Sequence, residues 1–433
     1  MRPMFLASLV FVSATAACIA NGDGDTDRGA QEVTCPTSIS AWSAGTAYRA
    51  GAIVAYRSAI YRCIQGHTAI DSWTPEAAAS LWERVACSST SAPPPPPAPG
   101  CGDAGVSTPA DTGTGGSSDT GTPPTPPPPP PSSAKTELAP YFYSWGWGNT
   151  SYPFTSLVDM KSKSGLTSAT IAFVLADGTC KATRDIQDHA ADVKAFVAGG
   201  GRLKASFGGA NGTYLESACG DSDSLAKAVS DFVSETGITD LDFDVEQAPS
   251  MTADVNKKRA AALAKVQKEK GVRVAFTLPC APRDKWDTPG GLSAAGLDVV
   301  AAAVNAGIDI SHVNLMTMDY GGYYSSGKAM GDLAISAATD TVTQLRKLLP
   351  SLSESAAWAK IGITPMIGQN DVSSEIFTLA DAKTVAAFAK SKGVGLLAFW
   401  AINRDQPGSG SLGLYSQAQT KTFAFTEAFR GAF

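Results

Sequence analysis

The stretch GITDLDFDVEQAP, residues 237–249, places an acidic side chain at every second position of an otherwise apolar segment. Successive side chains of a β-strand point to opposite faces, so the acids and the residues between them separate. We expect one face to carry Asp242, Asp244 and Glu246 toward the interior of a sheet. The other face is expected to pack beneath helices, and its residues are Leu241, Phe243 and Val245.

Carboxyl groups two residues apart on a strand are separated by roughly 6.6 Å at Cα, close enough for their charges to interact. Full ionisation is therefore costly, and we expect a retained proton and a raised pKa on the carboxyl nearest the end of the strand, which prepares a general acid. A calcium loop is the alternative interpretation. It fails because Val245 and Met251 stand where such a loop needs Gly and a bidentate Glu. We predict no metal site.

Eight apolar runs alternate with helical stretches in the second part of the chain. They read LAPYFYSW, SATIAFVLA, RLKASFGG, ITDLDFDVE, VRVAFTLP, HVNLMTMDY, KIGITPMIG and GLLAFWAIN. Eight strand-helix repeats in roughly 300 residues predict an α/β fold of the (β/α)₈ TIM barrel type, with active residues at the carboxyl ends of the strands. An open, doubly wound sheet is the second possibility.

The N-terminal residues 1–17 have one Arg, an apolar run and then small residues, which is typical of a secretory signal peptide. Two outcomes stay open, namely release as an extracellular protein or lipid anchoring through Cys18, which follows Ala16-Ala17. An acidic tether is predicted for residues 18–34 and a Pro/Gly/Ser-rich linker for residues 88–134. The net charge of −6 argues against a nucleic-acid partner.

Export makes disulfides possible for the eight cysteines. Cys35 and Cys87 bracket a compact segment and are predicted to pair. Cys180 and Cys219 follow predicted strands in consecutive loops and are also predicted to pair. The remaining candidates, Cys63, Cys101 and Cys280, have no evident partner.

Residues 35–87 are rich in Trp and Tyr and alternate short apolar runs with turn residues, which predicts a small all-β unit. Trp73 lies in the polar loop GHTAIDSWTP, where an indole is poorly buried unless a flat ligand covers it. The pattern W…Y…G…V…Y…YxCxQxHT…WTP…LW resembles the bacterial chitin-binding modules of carbohydrate-binding family 5/12. The resemblance implies chitin contact by Trp73, His67, Thr68 and Pro75, with Trp42 and Trp82 in the core.

Residues 135–433 resemble glycoside hydrolase family 18, through ASFGG at residues 205–209 and DLDFDVE at residues 240–246. The motifs VNLMTMDYG and GITPMIGQND are similar to its bacterial and archaeal subgroup. The resemblance implies a catalytic barrel in which Glu246 donates a proton to the glycosidic oxygen. Asp244 would orient the substrate's acetamido group and Asp242 would tune Asp244. The substrate's own acetamido oxygen would be the nucleophile.

Other positions are implied to bind the substrate, and these are Asp319, Tyr320, Met316, Trp400, Tyr141 and Gln369. Two departures from the family pattern stand out. Met318 occupies the place of the Tyr that assists the acetamido oxygen, and whether Tyr320 replaces it is open. Asp240 stands where the family has Gly, and we assign it to the wall-side face without a catalytic role. The first strand carries aromatic residues that could stack on sugars, and they are Tyr141, Tyr143, Trp145 and Trp147.

Together these features predict a secreted, monomeric chitinase that hydrolyses β-1,4-N-acetylglucosaminide bonds with retention and needs no cofactor. Chitin and N-acetylglucosamine oligomers are the expected partners, without a protein partner. Two alternatives are a non-catalytic chitin-binding lectin on the same barrel and an endo-β-N-acetylglucosaminidase acting on N-glycans. Retention of Glu246 argues against the first, and the chitin-binding type of module argues against the second.

Overall fold

A computed structural model describes residues 136–431, residue 433 and, upstream of them, parts of residues 31–87. The two groups of residues belong to separate compact units that divide after Gly100. The signal peptide, most of the predicted tether and the linker lie outside the described residues.

The N-terminal unit is all-β among its described residues. Its strands are Gln31–Val33, Ser40–Ala41, Ala47–Tyr48, Ile53–Tyr56, Ala59–Cys63, His67–Thr68 and Trp82–Cys87. Five of them form one sheet, and two pair separately. Its core is small and includes Val54, Tyr61 and Trp82. The first strand, Gln31–Val33, lies within the stretch predicted as a tether and pairs with the last strand.

The disulfide predicted between Cys35 and Cys87 is present, with the two Cα atoms 5.3 Å apart. It joins a residue just after the first strand to the last residue of the final strand. Because a unit of this size buries little apolar surface, such a crosslink contributes to its stability by restricting the unfolded chain.

Residues 136–433 form the predicted (β/α)₈ barrel, and all eight apolar runs supply strands. We number them β1 to β8, with β1 in two parts: Glu137–Leu138 with Tyr141–Tyr143, Ser168–Val174, Arg202–Gly208, Asp240–Asp244, Arg273–Ala281, Ile310–Met316, Ile361–Thr364 and Leu396–Leu397. Neighbouring strands are parallel throughout.

Strand β1 closes the ring because its two parts pair with different neighbours. Glu137–Leu138 pairs with β8, and Tyr141–Tyr143 pairs with β2. Between the parts lies Pro140, which has no N–H for a ladder, while its carbonyl accepts a hydrogen bond from Thr170. A closed ring brings the carboxyl ends of all strands to one mouth, and the open doubly wound alternative is excluded.

Eight main helices surround the barrel, each following one strand. We number them α1 to α8: Leu157–Ser164, Ala190–Ala198, Ser222–Thr236, Ala253–Lys270, Ala294–Asn305, Met330–Leu348, Leu379–Lys392 and Ala424–Arg430. Helices α3 and α7 begin with capping boxes, in which the side chain of Asp221 or Thr378 accepts a hydrogen bond from an otherwise unpaired backbone N–H.

Short helices, 3₁₀ turns and short strands lie in the connections between the main strands and helices. The short helices are Asp185–Asp188, Leu215–Ala218, Gly322–Ser325 and Glu354–Ala359, with 3₁₀ turns at Ser144–Gly146, Ala248–Met251 and Ile402–Arg404. Short strands outside the ring are Gly291–Leu292, Gly368–Gln369 and Ile376–Phe377. In the part of the chain that the structure describes, no helix has the length and apolarity needed to cross a bilayer.

The second predicted disulfide, between Cys180 and Cys219, is also present, with the two Cα atoms 4.7 Å apart. It links the loop after β2 to the loop after β3. Both loops lie at the mouth of the barrel, so the bond holds part of the rim together.

Candidate functional site

The two faces of β4 separate as the sequence predicts. Leu241, Phe243 and Val245 are fully buried in the layer between strands and helices. There the Phe243 ring stacks on Phe207 of β3 at a centroid distance of 5.0 Å. The alternate residues Asp242 and Asp244 are buried inside the barrel. Glu246 lies two residues beyond the strand and is partly exposed at the mouth.

Asp242 is held by hydrogen-bond donors from three other strands. The hydroxyl groups of Ser206, Thr277 and Tyr141 lie 2.7, 2.8 and 3.2 Å from its carboxylate oxygens. Burial raises the pKa of Asp242, and the three hydroxyl groups oppose that shift. Burial and the charge of Asp242 raise the pKa of Tyr141, so its hydroxyl keeps its proton and donates. Asp242 is thus a fixed acceptor beneath the mouth.

Asp244 and Glu246 form a neighbouring pair of carboxyl groups above Asp242. Burial raises the pKa of Asp244 strongly, and the neighbouring charges of Glu246 and Asp242 raise it further. Burial also raises the pKa of Glu246, to about 7, with further increases from Asp319 and Asp371. Asp244 therefore keeps the proton between the pair, and Glu246 is divided between its protonated and ionised forms near neutral pH.

Tyr214 fixes the position of Glu246, and sequence reasoning missed it. Its hydroxyl accepts the Glu246 backbone N–H at 3.1 Å and donates to the Gly209 carbonyl at 2.7 Å. The neighbouring Gly208 has φ of +110°, and a Cβ there would lie 2.1 Å from the Asp244 carbonyl oxygen. The ASFGG motif therefore allows β3 to approach the catalytic strand without steric conflict.

The wall-side position assigned to Asp240 was wrong. Asp240 has the same parity along β4 as Asp242, so its side chain also points inside the barrel, at the opposite end from Glu246. There its carboxylate accepts from Lys204 at 3.2 Å and from Arg273 at 2.8 Å. Asp240 is bound in an ion-pair network and lies away from the mouth.

Asp319 follows β6 and lies among groups that face Glu246. Its carboxylate accepts the Val372 backbone N–H at 2.9 Å, and its backbone adopts a φ of +51°. Burial raises the pKa of Asp319 to about 7; the Val372 N–H opposes this shift, whereas Asp371 adds to it. The charge of Asp319 in turn raises the pKa of Glu246.

Tyr320 follows β6 and is partly buried. Burial raises its pKa strongly, and Cys280 and Glu375 raise it further. Its ring packs against the core of the barrel, its backbone N–H donates to Glu375 at 3.1 Å, and its buried hydroxyl has no hydrogen-bond partner among the described residues. This placement gives no support to Tyr320 as the substitute for the residue missing at Met318.

The loop after β7 forms another part of the mouth. The side-chain amide nitrogen of Gln369 donates to carbonyls of its own loop, including that of Glu375 at 3.0 Å. The backbone carbonyl of Gln369 in turn accepts a hydrogen bond from the buried Arg404 side chain at 2.8 Å. Met316 is partly exposed at the end of β6, and its carbonyl faces the Cys280 thiol. Substrate contacts by Gln369 and Met316 stay predictions.

Aromatic rings cover the mouth on the side of β1, β2 and β8. Trp400 stacks on Phe173 at a centroid distance of 5.5 Å and lies 4.9 Å from Tyr143. Trp145 stacks on Tyr143 at 4.5 Å and is 52% exposed, so it extends this surface toward solvent. Tyr141 is buried beneath these rings and contacts Asp242 with its hydroxyl.

Trp147 does not contribute to this surface as the sequence suggested. Its ring stacks on His189 at 4.4 Å, and its indole N–H donates to Asp192 at 2.8 Å. It also packs against Phe142 of the core, 4.9 Å away. Trp147 therefore fastens the first loop to helix α2.

Several supporting residues escaped the sequence prediction for different reasons. Thr277 and Asn314 are polar residues at inward positions of apolar strands, and that pattern could have identified them. Asn314 of β6 donates to Thr277 at 2.9 Å, which extends the support of Asp242 to one more strand. Tyr214, Phe173 and Asp371 lie in or near loops and have no periodic signal. Among the described residues, no cluster of His, Cys, Asp or Glu could hold a metal ion.

The residues implied for chitin contact in the N-terminal unit are only partly described. Trp73 lies outside the described residues. His67–Thr68 forms a short strand paired with Ala47–Tyr48, and Pro75 is buried. Trp82 is buried in the core and Trp42 packs against it, in agreement with the structural role expected for both.

Residues 41–83 match the family model of carbohydrate-binding module family 5/12. Over 284 residues the chain is 33% identical to a probable bifunctional chitinase/lysozyme of Escherichia coli K12, covering 60% of this chain and 31% of that protein. It is 34% identical to endochitinase 11 of Metarhizium anisopliae over 254 residues, covering 55% and 47%. The chain thus spans less than half the length of either curated relative.

Among solved structures, the chain is similar to the catalytic domain of the hyperthermophilic chitinase from Pyrococcus furiosus. The TM-score is 0.60 and the sequence identity 29%, over 69% of this chain and 94% of that domain. These comparisons confirm the predicted resemblances, to a family 5/12 carbohydrate-binding module and to chitinase catalytic domains.

Proposed function

We propose that this protein is a chitinase that hydrolyses β-1,4 bonds between N-acetylglucosamine units. The observation that carries the proposal is the Asp244–Glu246 carboxyl pair, with the pKa of Glu246 raised to about 7, beside the aromatic surface around Trp400. The similarity to proteins named as chitinases supports the same reaction.

Glu246 is the proton donor to the glycosidic oxygen. A general acid works best when its pKa lies near the operating pH, and burial together with Asp319 and Asp371 moves the pKa of Glu246 into that range. Its backbone N–H is held by the Tyr214 hydroxyl. The acid is therefore held in place before the substrate arrives.

Asp244 positions the substrate's 2-acetamido group, whose carbonyl oxygen attacks the anomeric carbon. The protonated Asp244 can donate a hydrogen bond to the acetamido oxygen, or it can accept the amide N–H after ionising. Asp242, fixed by three hydroxyl donors, stabilises the arrangement from below. Water then opens the oxazolinium intermediate, and the product keeps the configuration of the substrate.

The decisive experiment measures release of N-acetylglucosamine oligomers from chitin by the wild type and by Glu246→Gln. The amide keeps the shape of the side chain and cannot donate the acid's proton. We expect the variant to lose activity by about 10²- to 10⁴-fold. Equal release by both proteins would overturn the assignment of Glu246, and chitin binding without release by the wild type would favour the lectin alternative.

The substrate-assisted step has its own test. A glycoside in which the acetamido group is replaced by a hydroxyl lacks the internal nucleophile. We expect no turnover of that analogue and, for the natural substrate, a first-formed product of retained anomeric configuration by NMR. An inverted product would contradict the mechanism. Release from N-glycans in place of chitin would favour the endo-β-N-acetylglucosaminidase alternative.

The N-terminal unit is proposed to hold the enzyme on insoluble chitin, with Trp73 as the main contact and His67, Thr68 and Pro75 near it. The family match over residues 41–83 supports this role. The linker of residues 88–134 would tether the barrel to this unit, which raises the local concentration of the enzyme at the polymer. Trp73→Ala should weaken binding to chitin particles and leave soluble oligomers cleaved at the wild-type rate. Undiminished binding would refute the role of Trp73.

We further propose export of the protein, which the two disulfides among the described residues support because such bonds persist in oxidising compartments. Anchoring through Cys18 is the open point. Fractionation of cells that express the wild type or Cys18→Ser tests it: a membrane-bound wild type and a released variant indicate a lipid anchor. Release of both forms indicates a freely secreted protein.

A further inference from the structure

A cavity of about 780 Å³ opens at the amino end of the barrel, away from the mouth. Its lining includes residues at the beginning of four strands, namely Glu137 of β1, Ser168 of β2, Arg202 of β3 and Arg273 of β5. Glu246, in contrast, follows the carboxyl end of β4. The cavity is therefore separate from the candidate active site, and the proposed reaction makes no use of it.

Most charged side chains in the described lining of this cavity are cationic. Four are Arg or Lys, and one is a carboxylate, that of Glu137. The cations are Arg202, Arg273, Lys360 and Arg430. Glu137 is already paired, because Lys204 and Arg202 lie 2.8 and 3.1 Å from its two oxygens. The cavity thus has an excess of positive charge, which favours an anionic ligand.

The three guanidinium groups keep hydrogen-bond donors for such a ligand. Arg202 contacts Glu137 through one nitrogen. Arg273 contacts Asp240 through one nitrogen as well. Arg430 donates from one nitrogen to a backbone carbonyl at 2.8 Å. Because a guanidinium has five N–H groups in a fixed fork, each of the three retains donors that a doubly oxygenated anion can accept.

His312 of β6 lies at the base of the cavity with an unpaired ring nitrogen. It is 5% exposed, and its Nδ1 atom is buried without a hydrogen-bond partner among the described residues. Burial, together with the charges of Lys204 and Arg273, lowers the pKa of His312 to about 3, so the ring is neutral. In the tautomer with the proton on Nδ1, a ligand oxygen that accepts this N–H removes the cost of leaving it unpaired.

The size of the cavity and the rest of its lining indicate the class of anion. A phosphate group fills only part of about 780 Å³, so the cavity also has room for a small polar molecule that carries the phosphate. Hydroxyl groups and apolar side chains line that remaining space, and they belong to Thr136, Thr167, Ser168, Ser311, Leu138 and Leu166. Forked guanidinium groups suit phosphate oxygens in particular.

We propose that the amino end of the barrel is a binding site for a phosphate group, free or in an ester. Its charged contacts are Arg202, Arg273, Lys360 and Arg430, and His312 donates from the base. These cations belong to β3, β5, the residue before β7 and α8, so a bound phosphate joins four separate elements. Binding stabilises the folded barrel and takes no part in hydrolysis, so the site is independent of the proposed function.

The test measures thermal unfolding and calorimetric binding of the full chain with inorganic phosphate and, separately, with glucose 6-phosphate, at an ionic strength held constant with NaCl. We expect Tm to rise with ligand concentration. The double variant Arg202→Gln/Lys360→Gln should weaken the Kd by about tenfold. Arg184→Gln is the matched control, because its side chain is 64% exposed, against 62% for Arg202, and pairs with Asp188 outside the cavity. It should bind as the wild type does.

NMR gives a second measurement that does not depend on the stability of a variant. The chain has three His residues, so ring signals are few, and those of His312 are identified by their loss in His312→Gln. Phosphate should shift the signals of His312 and leave those of His189 in place. Tighter binding of the ester indicates an esterified ligand, and equal or tighter binding of inorganic phosphate indicates the free ion; both uphold the site.

Three results would overturn the phosphate site. The first is the absence of binding, and the second is a Tm increase that NaCl reproduces at the same ionic strength. The third is an unchanged Kd in the double variant, together with competitive inhibition of oligomer hydrolysis, which would place the anion at the mouth. Wild-type turnover of N-acetylglucosamine oligomers without phosphate binding would overturn this site and leave the proposed function standing.

Discussion

The two ends of the barrel interior carry the same kind of residue in opposite electrostatic settings. At the amino end, Asp240 and Glu137 accept from the buried Lys204 at 3.2 and 2.8 Å. Burial tends to raise the pKa of Glu137, but Lys204 and Arg202 outweigh it and lower that pKa. At the carboxyl end, the neighbours of Asp244 and Glu246 that shift their pKa values are other carboxyls.

The difference teaches how one strand supports both stability and chemistry. Asp240 and Asp244 are four residues apart on β4 and point to the same side. Cations neutralise the first, and burial among like charges keeps the second protonated. The same amino acid acts as a structural ion pair at one end and as part of a proton-holding pair at the other.

The largest effect is expected when each of the two aspartates is replaced by asparagine in a separate variant. Asp244→Asn should lower kcat for N-acetylglucosamine oligomers by about 10²- to 10⁴-fold, because the group that orients the acetamido nucleophile can no longer ionise. Asp240→Asn should leave kcat unchanged, because its partners are Lys204 and Arg273. Steady-state kinetics on a soluble oligomer measures both. Comparable losses in the two variants would contradict the division between the ends.

Removal of the buried cation should affect stability in place of activity. Lys204→Met leaves Glu137 and Asp240 without their shared partner in a mostly buried setting, and we expect a loss of about 3 kcal/mol in the free energy of unfolding. Urea denaturation of the isolated barrel or the full chain measures it. Lys227→Met, which removes an exposed pair with Asp231, is the control and should change stability by under about 1 kcal/mol.

The carboxyl pair should cost stability above acidic pH. Folding raises the pKa of Glu246 to about 7 from 4.5. A carboxyl shifted in this direction makes the folded protein less stable as pH rises between those two values. Glu246→Gln should therefore raise Tm by roughly 2–4 °C at pH 8 and have little effect at pH 4. The exposed Glu269→Gln is the control and should show no pH-dependent difference. A pH-independent gain in Glu246→Gln would contradict the electrostatic cause.

The smallest effect concerns the pH profile. Asp319 raises the pKa of Glu246, so Asp319→Asn should move the alkaline limb of kcat/KM, near pH 7 in the wild type, to lower pH by a fraction of a unit. The exposed Asp371→Asn should shift the limb in the same direction, since Asp371 acts on Glu246 in the same way. A shift to higher pH in either variant would contradict these couplings.

Much of the fold was predictable because its signals are local. Each of the eight apolar runs became a barrel strand, and the alternation in β4 separated Phe243 from Asp244 as expected. The pairs Cys35–Cys87 and Cys180–Cys219 followed from the position of the cysteines relative to predicted strands. The resemblance to chitinase catalytic domains supplied the roles of the acids, which alternation alone does not assign.

The supporting residues were less predictable because their contacts join distant parts of the chain. Tyr214 reaches Glu246 from a loop after β3, and Tyr141 reaches Asp242 across 101 residues. Tyr320 was an open candidate, and its backbone contact with Glu375 depends on how the loops after β6 and β7 pack. Asp240 is a different case, because the alternation of side chains along β4 already places it on the same face as Asp242 and Asp244.

The sequence by itself determined the strands, the order of the acids along β4 and which face each one occupies, since these depend on backbone geometry and residue spacing. The tertiary structure decided which acids are neutralised and which keep a proton. Those properties depend on burial and on charges from other strands, such as Lys204 beside Asp240 and Asp319 facing Glu246. Closure of the ring brings those groups together, and no local pattern encodes their distances.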